Sequence, residues 1–547
     1  MSPAADTSRP ADSSELPETL VLVPNSGVQF VEYGFHLDRV PRFQRPFIER
    51  EFPQERDQRT GEIPARLLAG WNEDFPETGE PPPRDYTDRV YELSPVRALE
   101  PFLGKWVPVP YVAHLRADPF GPTPVYRNGP TNWVRVRVTH EGGGEDAPIT
   151  HKVVFAFDTA IDDQEPPLTF TTPAAQHTGP SWEFSYLSRF KDLHWFVHNP
   201  DPEGTGQDYG LWVRDWVERL FQEFKFVQRR GRPQRADEDQ GRLEALARYF
   251  VFLETLNKAV APRKVRFVDP QSSSQPVDVD LVLDIGNSRT YGILIERIPN
   301  KLNADLKDSY TLKLRDLQDP TLLYSGAFES HVELFCPSFG DEDLSRRSGR
   351  ARAFFWPSPV RVGPEASRIR DRQDGTEGYS GLSSPKRYLW DLRPVQQEWR
   401  FPKDQYIGED DPTLGKRLRN LLNSSGENLS QLRRNAGLFK RVYDGGLPRD
   451  ASQAARTMNF SRSSMYALMV AEVIWQAMTM INNPVGRLDR PLAELPRRLS
   501  RIILTLPSAT PVREQLLVKL RSEGAIQLLW DLMGWPPGDR RFLQPTV

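Results

Sequence analysis

The sequence predicts an α/β domain preceded by a β-rich α+β region. Three observations carry this reading. The stretch "VDVDLVLDIGNSRTYGILIERIPN", residues 277–300, holds two strand-type apolar runs joined by a tight Gly-Asn-Ser-Arg turn. After it, strand patterns alternate with helical ones, as in an α/β domain. Before it come short strand-like pieces, two amphipathic helices and a polar linker.

In chain order, residues 1–17 are rich in Ser, Pro, Ala and Asp and are expected to be disordered. A β-rich accessory domain with two helices is expected over residues 18–268. Its strand pieces include "TLVLVP", "GVQFVEYGF" and "WVPVPYVAHL". In "NWVRVRVTH", Val134, Val136 and Val138 alternate with Arg135 and Arg137, the period of a half-buried strand. Trp133 is expected on the arginine face, and "HKVVFAFDTA" reads as the returning strand. In "GLWVRDWVERLFQEFKFV", Trp212, Val213, Trp216, Leu220 and Phe224 keep one helical face. "GRLEALARYFVFLETLNKAVA" does the same with Leu243, Leu246, Phe250, Leu253 and Leu256. "DPQSSSQPVD", residues 269–278, is the linker, and residues 279–547 form the α/β part with an inserted region at 408–455. That insertion spaces Leu418, Leu421, Leu422, Leu429 and Leu432 almost helically between charges, as a helical hairpin for a partner or as a lid.

Bulk composition narrows the function classes. A chain of 547 residues, 38% hydrophobic and 27% charged, is globular and long enough for two or three domains. A net charge of −3 supplies no field that draws it to nucleic acid, so no nucleic-acid partner is expected. Cys336 is the sole cysteine, which excludes an intrachain disulfide or a cysteine-rich metal site. A reducing, cytoplasmic setting is expected, since "MSPAADTSRPADSSELPE" has no apolar leader. No membrane span is expected: the apolar stretch Tyr466–Ile481 is broken by Glu472 and Gln476 and falls short of roughly 20 residues. The eight histidines end at His331, so no Ser-His-Asp triad lies wholly beyond it. His194 and His198 in "HWFVH" stand one helical turn apart with no third ligand, and read as tips of an aromatic core segment. "RRSGRAR" reads as a solvated loop.

The turn after Asp284 admits two readings. Leu281, Val282, Leu283 and Ile285 flank Asp284 in a strand expected to be buried on both faces. Gly286 and Asn287 tolerate positive φ, and a turn of that kind converges backbone N–H groups into an anion nest. Ser288 and Thr290 add hydroxyls, and Asp284 beside phosphate makes sense as the holder of a hydrated Mg²⁺. The other reading is a hairpin whose Asp284 caps its own turn.

The Asp-x-Gly hairpin resembles the first phosphate loop of the actin, Hsp70 and sugar-kinase superfamily. "SPVRVGPEASRIRDRQDGTEGYSGLSSPKRYLWD" resembles the Hsp70 run in which a Gly-containing segment precedes a Lys-Arg pair. "SRIILTLPSATPVREQLLVKL" resembles the strand-proline-helix piece that ends the first lobe. Before it, "MYALMVAEVIWQAMTMI" corresponds to the packed helix, with Leu468, Val470, Ile474 and Met478 as core candidates. The resemblance implies an actin-like (ribonuclease H-like) ATPase lobe. It implies ATP and Mg²⁺ as cofactors, with Asp284 orienting the metal through water and Lys386 reaching the terminal phosphate. Gly286, Asn287, Ser288, Arg289 and Thr290 would hold the phosphates.

A closer likeness covers most of the chain. "LVPNSGVQFVEYGF", "YFVFLETLNKAV" and "LVLDIGNSRTYGILIE" together are similar to the SrfB family of bacterial virulence factors. Members are usually about twice as long and are encoded beside companion proteins, which implies a complex. No second Asp-x-Gly hairpin follows Leu520, and "VYDGGLPRD" reads as a surface turn. The expectation is an incomplete first lobe in a C-terminally truncated or split product, completed by a chain that supplies the second lobe. Three functions follow: a nucleotide-binding protein of a virulence-associated assembly with possible ATPase activity, a scaffold that keeps the lobe without turnover, or a small-molecule kinase of the same superfamily.

Overall fold

The computed structural model describes residues 17–41, 46–69, 88–114, 132–142, 147–161, 173–187, 190–197, 211–229, 241–259, 264–269, 275–372 (apart from 302, 304, 349 and 351), 380–393, 399–402, 460–535 and 543–546. Residues 1–16, His198, residues 270–274 of the linker, "VYDGGLPRD" and the insertion 408–455 lie outside the described residues.

The α/β part is organised by one sheet. Its opening strand, Val277–Ile285, pairs antiparallel with the return strand, Arg289–Arg297, from Asp278↔Arg297 to Ile285↔Thr290. The return strand pairs antiparallel with Ser309–Thr311. On its other side the opening strand runs parallel to a crossover strand, Arg497–Thr505, which is parallel in turn to Leu543–Thr546. Parallel neighbours need long connections, and two helices supply them: Arg462–Ile481 and Val512–Leu532. The order is thus three antiparallel strands followed by two parallel ones.

The period of two sets which side is buried. Val277, Val279, Leu281, Leu283 and Ile285 are buried in the same core as the central helix Arg462–Ile481. Asp278, Asp280, Val282 and Asp284 alternate with them onto the opposite face, where Val282 is half-buried and Asp284 exposed. The strand therefore has one buried face, not the expected two. Asp280 tolerates its low exposure because Arg297 and Arg501 pair with it.

The central helix is buried nearly all round and mostly apolar, as a core helix must be. Ser461 caps it by accepting the Ser464 N–H, and Leu468, Val470, Ile474 and Met478 are buried as expected. At 20 residues it is longer than the apolar stretch read from sequence, and by length and composition alone it is apolar enough to cross a membrane. Here 94% of its apolar window is buried within the protein. Glu472 on this helix, fully buried, accepts from the two terminal nitrogens of the Arg361 guanidinium at 2.8 and 2.7 Å.

The preceding region holds several small sheets and the two expected helices, Leu211–Gln228 and Glu244–Ala259. Strand Val134–His140 pairs with His151–Asp158 as expected. Its valines enter the region's own core, yet its arginine side is covered as well. Arg135 is 3% exposed and donates to the Phe339 carbonyl at 2.7 Å, and Arg137 donates to the Gln318 carbonyl at 2.6 Å. The α/β part lies over the face expected to meet water. Trp133 turns the other way: its Nε1–H donates to the Tyr111 carbonyl at 3.0 Å, among Phe184 and Phe267. Arg350, expected in a solvated loop, instead pairs with buried Asp158 at 2.7 Å. Val23, Val28, Phe30, Trp106, Val154 and Ala156 share one hydrophobic cluster with the α/β part.

Candidate functional site

The turn is closed by backbone proximity. The Gly286 N–H donates to the Arg289 carbonyl at 2.9 Å. A Cβ at Gly286 would stand 2.6 Å from that oxygen, so glycine is required by close approach. Neither Gly286 nor Asn287 is among the residues of positive φ. The expected nest of alternating backbone handedness is therefore absent here. Asn287, Ser288 and Arg289 form an exposed tip. The N–H groups of Asn287 and Ser288 donate to no acceptor among the described residues.

Asp284 stands at the strand end, exposed, directly opposite Tyr291 and Thr505 in the ladder. Its Oδ1 accepts from the Thr505 hydroxyl at 3.0 Å, and its Oδ2 takes no hydrogen bond from the described residues. That leaves one carboxylate oxygen facing solvent beside the turn. Among the described residues no group of three or more His, Cys, Asp or Glu side chains could hold a metal. Asp284 therefore suits only an ion that keeps most of its waters, as Mg²⁺ does.

Two candidates face inward. Thr290 is fully buried, and its hydroxyl bonds to the Ser330 hydroxyl at 2.9 Å. Ser330 also donates to the Gly286 carbonyl at 2.9 Å, and its N–H to the Ser288 carbonyl at 2.9 Å. Thr290 thus braces the turn from behind and presents no hydroxyl to a phosphate. Lys386, 9% exposed, donates to the Ile285 carbonyl at 2.7 Å. The resemblance implied a lysine reaching the terminal phosphate; here its ammonium is engaged by the backbone at the end of the strand that bears Asp284.

The turn is neither plugged nor enclosed. A cavity of about 370 Å³ lined by Arg137, Asp319, Arg368 and Arg372 lies at the seam between the two regions, away from the hairpin. A second, of about 300 Å³ beside Trp106, Trp216 and Gly340, lies on the same seam.

Ser330 and Thr505 were missed by sequence reasoning. Thr505 ends a strand readable from "RIILTLP", but its register against Asp284 is a three-dimensional fact. Ser330 carried no local signal.

Fold and site define a mixed α/β protein built on a five-strand path with a polar hairpin tip at its centre. A family model described as "Virulence factor SrfB" matches residues 12–546. The chain belongs to the SrfB family. Searches of curated proteins and of solved structures gave no match.

Proposed function

We propose that this chain binds the phosphates of ATP with Mg²⁺ at the 284–288 hairpin, as an actin-like lobe within a multi-protein virulence-associated system. The observation that carries the reading is Asp284, exposed between the hairpin turn and Thr505 on a six-stranded sheet whose main path runs through three antiparallel and then two parallel strands. Asp284 Oδ2 orients a water of the hydrated ion, and Mg²⁺ offsets the phosphate charge when bound. The Asn287 and Ser288 amides and the Ser288 hydroxyl donate to phosphate oxygens. Thr290, Ser330 and Lys386 hold the turn in shape from behind. The hairpin supplies groups from one side only, so hydrolysis requires groups from a facing wall to position water.

The test is ligand-linked melting. Binding to the folded state alone raises Tm with ligand concentration. Mg·ATP should raise Tm and adenosine should not; equal curves with and without Mg·ATP would remove the nucleotide.

A scaffold without nucleotide is the second reading, favoured by Ile503, Val512 and Leu516, which are 42%, 70% and 61% exposed on the crossover strand and the helix after it. It predicts no melting response to nucleotide and loss of partner capture on Leu516→Glu.

A further inference from the structure

We propose that Ser383, His331 and Glu333 form a nucleophile–base–carboxylate relay, giving this chain a serine acyl-transfer site for carboxylic esters. His331 and Glu333 are two residues apart on strand His331–Leu334 and so project from one face. Strand Gly381–Ser383 pairs with it in a register that sets Ser383 opposite His331. The Ser383 hydroxyl lies 2.7 Å from His331 Nδ1, and His331 Nε2 lies 2.8 Å from Glu333 Oε1.

Burial is graded as such a relay requires. Glu333 is 2% exposed and His331 4%, while Ser383 is exposed to solvent. Among the described residues Glu333 Oε2 is buried without a hydrogen bond, so the imidazole is the group that the carboxylate engages. A carboxylate at Nε2 holds the proton there and leaves Nδ1 as acceptor for the serine proton. Arg361, opposite Glu333 in the adjoining strand, is committed to Glu472. Gly381 makes room for the carboxylate, since a Cβ there would stand 2.1 Å from Glu333 Cδ. Ser384 follows the nucleophile in left-handed backbone, φ 55° and ψ 53°, and is pinned by its N–H to the Ser330 carbonyl at 2.7 Å. Such conformations cost energy and persist where surrounding structure imposes them.

The step balances within these groups. Ser383 Oγ attacks the ester carbonyl carbon and its proton passes to His331 Nδ1. The bond to the leaving alkoxide breaks, and His331 returns the proton to that oxygen. Water then repeats the sequence on the acyl-serine and releases the acid. No metal or nucleotide takes part, so the proposal stands apart from the phosphate reading.

The test is covalent labelling of the folded chain with a fluorophosphonate, which forms the Oγ–P bond and expels fluoride, with the adduct located by mass spectrometry. Ser383 should carry the adduct, and Ser383→Ala should abolish it. His331→Ala should slow labelling on the order of 10²-fold, the share of a general base, with imidazole restoring part of the rate. Glu333 is a positioning residue: Glu333→Gln should slow labelling and Glu333→Asp should recover part of it. Ser383 is exposed, so its substitution does not disturb the core. No adduct at Ser383 in the wild-type chain, or a rate indifferent to His331→Ala, overturns the proposal.

Discussion

Lys386 Nζ donates to the Ile285 carbonyl oxygen at 2.7 Å, so a buried cation fastens the end of the strand that bears Asp284. Its charge lies beneath the turn instead of in the solvent in front of it. Lys386→Met keeps the bulk and removes the bond. A hydrogen bond from a charged group contributes about 1.5–3 kcal/mol, and urea unfolding should register a loss of that size. An unchanged midpoint would show that the strand end is held without the lysine.

The Arg361–Glu472 pair is fully buried and bidentate, with the Trp356 Nε1–H also donating to Glu472 at 3.1 Å. Removing one partner strands the other charge in the core. Glu472→Ala should cost about 3–5 kcal/mol, while Arg361→Met with Glu472→Leu should cost far less. Denaturant curves of the three proteins check this, and equal losses for single and double variants would contradict it.

Glu365 makes stability depend on pH. Burial pushes its carboxyl up to about 7, against the opposing pull of Arg361, while neighbouring Glu472 is pushed up too. Its Oε1 accepts from the Leu317 and Gln318 amides at 3.1 and 3.2 Å. Between the ordinary carboxyl value and about 7 the folded chain keeps a proton that the unfolded chain has lost. The stability from this group is therefore fully present at low pH and is lost as pH rises towards 7, with a ceiling of about 3 kcal/mol. Glu365→Gln keeps an acceptor oxygen and should flatten that part of the profile. Urea midpoints at pH 5 and pH 8 should converge in the variant; identical profiles for both proteins would remove Glu365 as the source.

Much of the local order was legible. The apolar run of Leu281, Val282, Leu283 and Ile285 announced the opening strand, though not that only one of its faces is buried, and the apolar run through Val470 and Ile474 announced the core helix. What a period cannot reveal is the neighbour that covers a face. Arg135 and Arg137 looked solvent-facing because their partners, the Phe339 and Gln318 carbonyls, are some 180 or more residues distant. Thr290 looked available to phosphate for the same reason, since Ser330 arrives from a separate strand pairing. At Gly286 the residue type was informative but the cause differed: contact with the Arg289 carbonyl, not backbone handedness.

Asp284 carries the central claim, and calorimetric titration of ATP into the wild-type chain and into Asp284→Ala, each with and without Mg²⁺, tests it most directly. Asp284 is exposed and among the described residues accepts only from Thr505, so its loss leaves the fold intact. The account predicts Mg²⁺-dependent binding heat in the wild type and loss of that dependence in the variant. Equal affinity in the two proteins, or no heat in either, would contradict it.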